Sequence, residues 1–194
     1  MGAGFGAFLE HGYARASTLD IATRARVSKR ELYAHFKSKE ALFRAGIAEQ
    51  TAAFSIPLDV PDVADREAMA DTLTALGQSM LAGLTGDDVL SVYRLAIAES
   101  ARSPRVARTL DRAGRGAICH ALIQFFRSCI AHGFLCDGDP EAMTHEFCSL
   151  LLSDTMLRLL LGVVRKPGAR EIAARARETT ATFLALHPAR PSAT

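Results

Sequence analysis

Arg26, Lys29, Arg30, Lys37 and Lys39 crowd into one short stretch, interleaved with Ser28, Tyr33 and His35. Cations beside hydroxyl, phenol and imidazole groups suit a polyanion. Lys and Arg neutralise phosphates, Ser, Tyr and His hydrogen-bond to phosphate oxygens, and Arg can also donate in pairs to guanine. The charge bias is local. Residues 1–50 carry eight Lys/Arg against five Asp/Glu, whereas the other 144 residues carry fifteen against sixteen. Net charge of +2 for the whole chain would hide this. On composition alone the stretch also describes an ordinary solvated helix with a core-packed aromatic end, so the elements that carry it decide its meaning. No nucleophile–base–acid set, glycine-rich phosphate loop or metal-ligand spacing is present, and neither an enzyme activity nor a cofactor is expected.

Two short helices position these groups. Gly12 in "EHGY" is suited to closing a first helix. Ser17 is placed to cap a second helix, with Asp20 three residues on as the reciprocal carboxylate of a capping box. That helix offers Leu19, Ile21, Ala22 and Ala25 to a core. After a break at Arg26-Val27, Ser28 caps a third helix, again with an acid, Glu31, three residues later. Two capped helices across a tight turn form a helix-turn-helix, whose second helix enters the major groove by its N-terminal end. Lys29 and Arg30 then sit on the leading turn, Leu32 and Phe36 face the protein, and Tyr33 and His35 leave on other faces. Lys39 falls in the first turn of the next helix, where free N–H groups attract an anion.

Helical periodicity continues through the rest of the chain, and the fold class is all-α. A connecting helix is predicted from Lys39 to about Phe54, then a Pro-interrupted link over 55–65, then helices over about 63–84, 87–101, 104–132, 140–164 and 168–186. Cys119, Leu122, Phe126 and Cys129 recur at three- and four-residue spacing. With Phe147 they are candidates to line a ligand cavity, or equally to fill a core. His120, His132 and His145 are candidates to orient a ligand. The four cysteines show no paired metal spacing and read as reduced thiols. As redox-active groups Cys129 and Cys136 have only Arg127 as a basic neighbour in sequence. No signal peptide is visible, and a cytoplasmic protein is expected. The apolar run 147–164 has the length of a membrane span, but Asp154 and Arg158, four apart, favour a buried soluble helix. Helices over 141–164 and 168–186 are apolar on more than one face, so a partner chain is the simplest cover.

The segment "GY" followed by "STLDIATRARVSKRELYAHFKSKEALF" resembles the DNA-binding part of TetR-type transcriptional regulators. Gly12-Tyr13, Ile21-Ala22, Val27-Ser28, Leu32-Tyr33, His35-Phe36 and Lys39-Glu40-Ala41-Leu42 carry the resemblance, which covers roughly residues 3–50. "YRLAIAESARSP" and "DPEAMTHEF…LLLG" also look like the C-terminal half of one subfamily. The resemblance implies a DNA-binding domain over 1–50 and an effector-binding and dimerisation domain over 51–194. It implies a homodimer through residues 141–186, double-stranded operator DNA as partner, and a small-molecule effector. It also implies DNA contacts from Ser17, Lys29, Tyr33, His35 and Lys39, with Arg30 at a variable base-reading position and Ser28 at the head of the same helix. Two departures stand out. Arg26 occupies the turn position where such proteins usually have glycine, so it is expected either to adopt the turn at some strain or to make a slightly different turn, and its charge is a candidate for an added phosphate contact. Such proteins also begin further upstream, so either the true start precedes Met1 or an arm is missing, and Gly2, Gly4 and Gly6 point to a short or frayed first helix. The leading expectation is a ligand-responsive repressor. The alternatives are an all-α small-molecule or lipid-binding protein or enzyme without specific DNA binding, and a constitutive DNA binder without ligand.

Overall fold

The computed structural model describes residues 2–52, 62–102 and 104–190. Its elements are α1 Gly2–Arg15, α2 Thr18–Arg24, α3 Lys29–His35, α4 Lys39–Ala52, α5 Arg66–Leu84, α6 Asp87–Glu99, α7 Pro104–Asp111, a π-helical turn Arg112–Gly116, α8 Ala117–Ala131, α9 Pro140–Leu152, α10 Thr155–Leu160 and α11 Ala169–Leu186. The fold is all-α. The chain forms two compact units, one from residues 1–55 and 87–115 and the other from 56–86 and 116–194. Most of the 55–65 link falls at 53–61, outside the described residues.

The first unit packs α1, α2, α3 and α4 with α6 and α7 around one core. Phe5, Phe8, Ile21, Leu32, Phe43 and Ile47 are buried there together with Val92, Leu95, Val106 and Leu110. Helices from the middle of the sequence therefore complete the core beneath the helix-turn-helix. Phe8 and Tyr13 both meet the Phe43 ring edge-on, at 5.1 and 5.2 Å between centroids. This packing explains why α1 is not short: Phe5, Ala7 and Phe8 are buried, and tertiary burial overrides the poor helix propensity of the early glycines. The helix is kinked at Gly12 (φ 76°, ψ 162°), where the sequence indicated its end. Gly46 lets α4 lie against Phe5, since a Cβ there would overlap the ring.

The second unit packs α5, α8, α9, α10 and α11. Asp65 caps α5 by accepting from Ala68 N–H at 2.8 Å, which sets its start three residues later than periodicity suggested. Gly77 on α5 faces Ala176 of α11, Leu151 and Phe147, leaving room for the close approach of the two helices. The expected single helix over 104–132 is instead interrupted. The sequence "RAGRG" places two glycines where the hydrogen-bond ladder is weakest, and the chain takes a π turn.

The expected helix over 140–164 is also broken. Ser153 adopts φ 45°, Asp154 opens α10, and residues 161–164 leave the helix through Gly162 at φ 72°. The segment is buried on one side only within the protomer, at Met143, Phe147, Leu151 and Leu159, while Leu157, Leu161 and Val163 are 60%, 66% and 65% exposed. Asp154 and Arg158 form the expected (i, i+4) pair at 3.6 Å, on the surface. Among the described residues no helix is long and apolar enough to cross a membrane.

Candidate nucleic-acid interface

The turn between α2 and α3 is built by backbone groups. Val27 N–H reaches back to Ala22 C=O at 3.0 Å and Arg26 N–H to Thr23 C=O at 3.1 Å, the paired bonds of a Schellman stop. That stop needs a left-handed residue, and Arg26 supplies it at φ 55°, at a cost of about 1–2 kcal/mol relative to glycine. The Arg26 side chain is exposed.

Capping then fixes the two helices. Ser17 Oγ accepts from Leu19 N–H at 3.2 Å. Asp20 does not return the bond as expected: it pairs with Arg24 at 3.1 Å, and Arg24 also holds Glu10 of α1 at 2.7 Å. A carboxylate one turn before an arginine finds a stronger partner there than at the cap. Leu19, offered to the core by the sequence pattern, is 61% exposed, while Ile21 and Ala22 carry the burial. The capping box of α3 is complete: Glu31 N–H donates to Ser28 Oγ at 3.1 Å and Ser28 N–H to Glu31 Oε2 at 2.7 Å. These bonds from Ser28 hold the Glu31 carboxyl below the usual carboxylate range.

Within α3 only Leu32 is buried, and Lys29, Arg30, Glu31, Tyr33, Ala34 and His35 are all exposed. A helix of seven residues held by one leucine and a capping box leaves the rest of its surface exposed. Lys29 Nζ lies 6.0 Å from the centre of the Tyr33 ring, and Tyr33 O–H donates to Thr18 Oγ1 at 3.4 Å. Lys29 and Tyr33, one turn apart, thus share one side. His35 borders a different feature, an apolar groove of about 590 Å³ lined also by Phe5, Phe8, Val27 and Phe36.

Lys39 is half-buried. Its ammonium donates to Ala14 C=O at 3.0 Å and sits 5.0 Å from the centre of the Tyr13 ring. Partial burial pulls its pKa below the usual lysine range, against the attraction of Glu99 and then Tyr33. Glu99, at the end of α6, is buried and was not found from the sequence. Its Oε1 accepts from Ala14 N–H at 3.2 Å, and its Oε2 is buried without a hydrogen-bond partner. The kink at Gly12 explains this arrangement: the last turn of α1 starts afresh after it, and its orphaned N–H needs an acceptor. Glu99 and Lys39 thereby grip the Ala14 residue from its N–H and its C=O. Thr18 and Glu99 act 15 and 85 residues away from their partners, which sequence periodicity cannot register.

A substitution tests this grip. Gly12→Ala forces a side chain into a backbone region open essentially to glycine and sets its Cβ 3.3 Å from Glu99 Oε1. The expected loss is about 1–3 kcal/mol of stability, read by urea denaturation. A variant as stable as the parent would show that the kink carries no strain.

Of the candidate ligand residues, Leu122, Phe126, Cys129 and Phe147 come together in the buried core of the second unit. Phe126 stacks on Phe183 at 4.9 Å, and Phe147 meets Phe126 edge-on at 6.2 Å. Burial pushes the Cys129 thiol up to about 12. Cys119 is only partly buried, and His120, His132 and His145 are exposed. Among the described residues no group of three or more His, Cys, Asp or Glu is arranged to hold a metal ion.

Two capped helices across a left-handed turn, the second with a basic outward face, define a helix-turn-helix regulator of all-helical architecture. Comparison with known proteins agrees. Residues 2–45 match bacterial regulatory proteins of the tetR family, and residues 71–187 match the C-terminal domain of the AefR-like transcriptional repressors. A TetR transcriptional regulator from Agrobacterium tumefaciens superposes with a TM-score of 0.81 at 27% identity, over 96% of this chain and 91% of that one. The flavonoid-responsive regulator FrrA gives 0.80 at 30% identity, over 98% and 95%. GusR of Salmonella enterica gives 0.67 at 25% identity, over 95% and 91%. No curated protein sequence matches the chain. The chain belongs to the TetR family of bacterial transcriptional regulators.

Proposed function

We propose that this regulator is a homodimeric repressor that holds operator DNA through α3 and releases it on binding a small molecule. The observation that carries the DNA reading is the exposure of every α3 residue except Leu32, on a helix whose N-terminus is fixed by a full capping box. Lys29 and Arg30 face the groove, and Ser17, Arg26, Ser28, Tyr33 and Lys39 serve the phosphates on either side. His35 joins them only at the edge of its apolar groove. Repression accords with the repressor family matched by the C-terminal region, and a small-molecule effector with the flavonoid response of FrrA. Dimerisation through 141–186 accords with the exposed leucines of α10 and the turn after it. The domain limits proposed are 1–50 for DNA and 51–194 for effector and partner, with α6 and α7 lending their core to the former.

Fluorescence anisotropy on the DNA upstream of the protein's own gene tests the reading. Binding that weakens as salt rises is expected, and no binding even at low salt would favour a small-molecule carrier with no DNA role. Arg30→Ala should cost about 1–3 kcal/mol on operator and relax base preference at one position per half-site. Lys39→Ala should weaken binding to all sequences and lower the salt slope by about 0.9 for each phosphate released. Equal losses on operator and random DNA for Arg30→Ala would remove its base-reading role.

A further inference from the structure

In the second unit, the turn 133–139 after α8 brings Cys136 against the end of α11. Cys136 Sγ lies 3.9 Å from His187 Nδ1, and His187 Nε2 lies 2.7 Å from Glu146 Oε2 on α9. Three separate elements thus deliver a thiol, an imidazole and a carboxylate in line. The support is firm. Arg66 donates to the carbonyls of Leu184 and His187 at 2.8 and 3.0 Å, and to that of Phe134 in the turn that carries Cys136. The Phe183 ring lies 4.5 Å from the imidazole, closing one side.

The order of the groups fixes their roles. The tautomer protonated on Nε2 donates to Glu146 and leaves the Nδ1 lone pair toward the thiol. A nucleophile beside a base that is itself oriented by a third group is the arrangement that activates a weak nucleophile. Cys129, by contrast, is buried in the apolar core of the same unit. His187 side-chain exposure of 16% shields the imidazole, while Cys136 is only partly covered.

We propose that Cys136 is a covalent-modification site, primed by His187 and Glu146 to add to soft electrophiles of the α,β-unsaturated carbonyl class. His187 Nδ1 takes the thiol proton, and the sulfur attacks the β-carbon. One C–S bond forms as the C=C π pair moves to the enolate, and the imidazolium returns the proton to the α-carbon. The net change is addition of S–H across a double bond, with no oxidant or reductant consumed. The Glu146 carboxylate, 2.7 Å from Nε2, stabilises the transient imidazolium. The site is independent of the DNA-binding reading.

N-ethylmaleimide, itself an activated alkene of this class, is the probe. A limiting pulse on the intact protein, quenched and read by peptide mass spectrometry, gives a rate for each cysteine. Cys136 in the folded protein should react at least about tenfold faster than in the same chain unfolded in urea at the same pH, and faster than Cys119 and Cys148. His187→Ala should abolish that advantage, with partial rescue by free imidazole, which a merely structural histidine would not permit. Glu146→Gln should slow Cys136 while leaving Cys119 unchanged. A folded-state rate at or below the unfolded one overturns the proposal using the unaltered chain, whatever becomes of the variants. An undiminished rate in both variants overturns the priming.

Discussion

Phe126→Ala should lower the free energy of unfolding by about 3–5 kcal/mol, the usual loss when a fully buried aromatic is cut back to a methyl. Phe126 is 0% exposed and touches three other rings, those of Phe125, Phe147 and Phe183. Truncation removes its transfer free energy and leaves a void that three large neighbours can fill only in part, because a close-packed interior relaxes little. The result also separates the two readings of the apolar stripe on α8. A side chain lining a standing cavity already lacks contacts on one side, so its removal costs less and alters effector binding more. Urea denaturation with and without a screened effector distinguishes them. A loss below about 1 kcal/mol would place Phe126 on a cavity wall.

Leu157→Glu should convert the proposed dimer to a monomer. Leu157 is 60% exposed in the protomer, so the substitution leaves the isolated fold nearly untouched, within about 0.5 kcal/mol. In a dimer formed through 141–186 the same carboxylate would be carried into an apolar interface, and an uncompensated buried charge costs several kcal/mol. Sedimentation should therefore show the mass of one chain. Operator affinity should fall about 10²–10⁴-fold, because two half-sites would no longer be bound by one linked molecule. A stable Leu157→Glu dimer would exclude this residue from the interface and direct the search to the rest of α9 and α11.

The helix-turn-helix was legible because its signals are local. Ser28 and Glu31 lie three residues apart, their bond closes within one turn, and no distant group competes for them. Asp20 has the same spacing from Ser17, yet Arg24 captures it, since a nearby guanidinium outbids a backbone N–H. The long apolar helices misled for a related reason. Periodicity over 104–132 and 140–164 counts apolar residues but not the strength of the ladder between them, so the glycines of "RAGRG" and the turn at Ser153 went unregistered. The exposed Leu157 and Leu161 show the limit of hydropathy: it states that they need cover, not whether their own chain supplies it.

By itself the sequence determined the all-helical class, the capped pair of helices and the basic face of α3. Each of these follows from groups within a few residues of one another. Only the tertiary structure decided that Glu99 and Lys39 grip Ala14, that α6 and α7 complete the core under the DNA-reading helices, and that Cys136, Glu146 and His187 stand in line. Those groups are separated by tens of residues, and what brings them together is the burial of Phe8, Phe43, Phe126 and Phe183, a collective packing free energy that no short window of sequence contains.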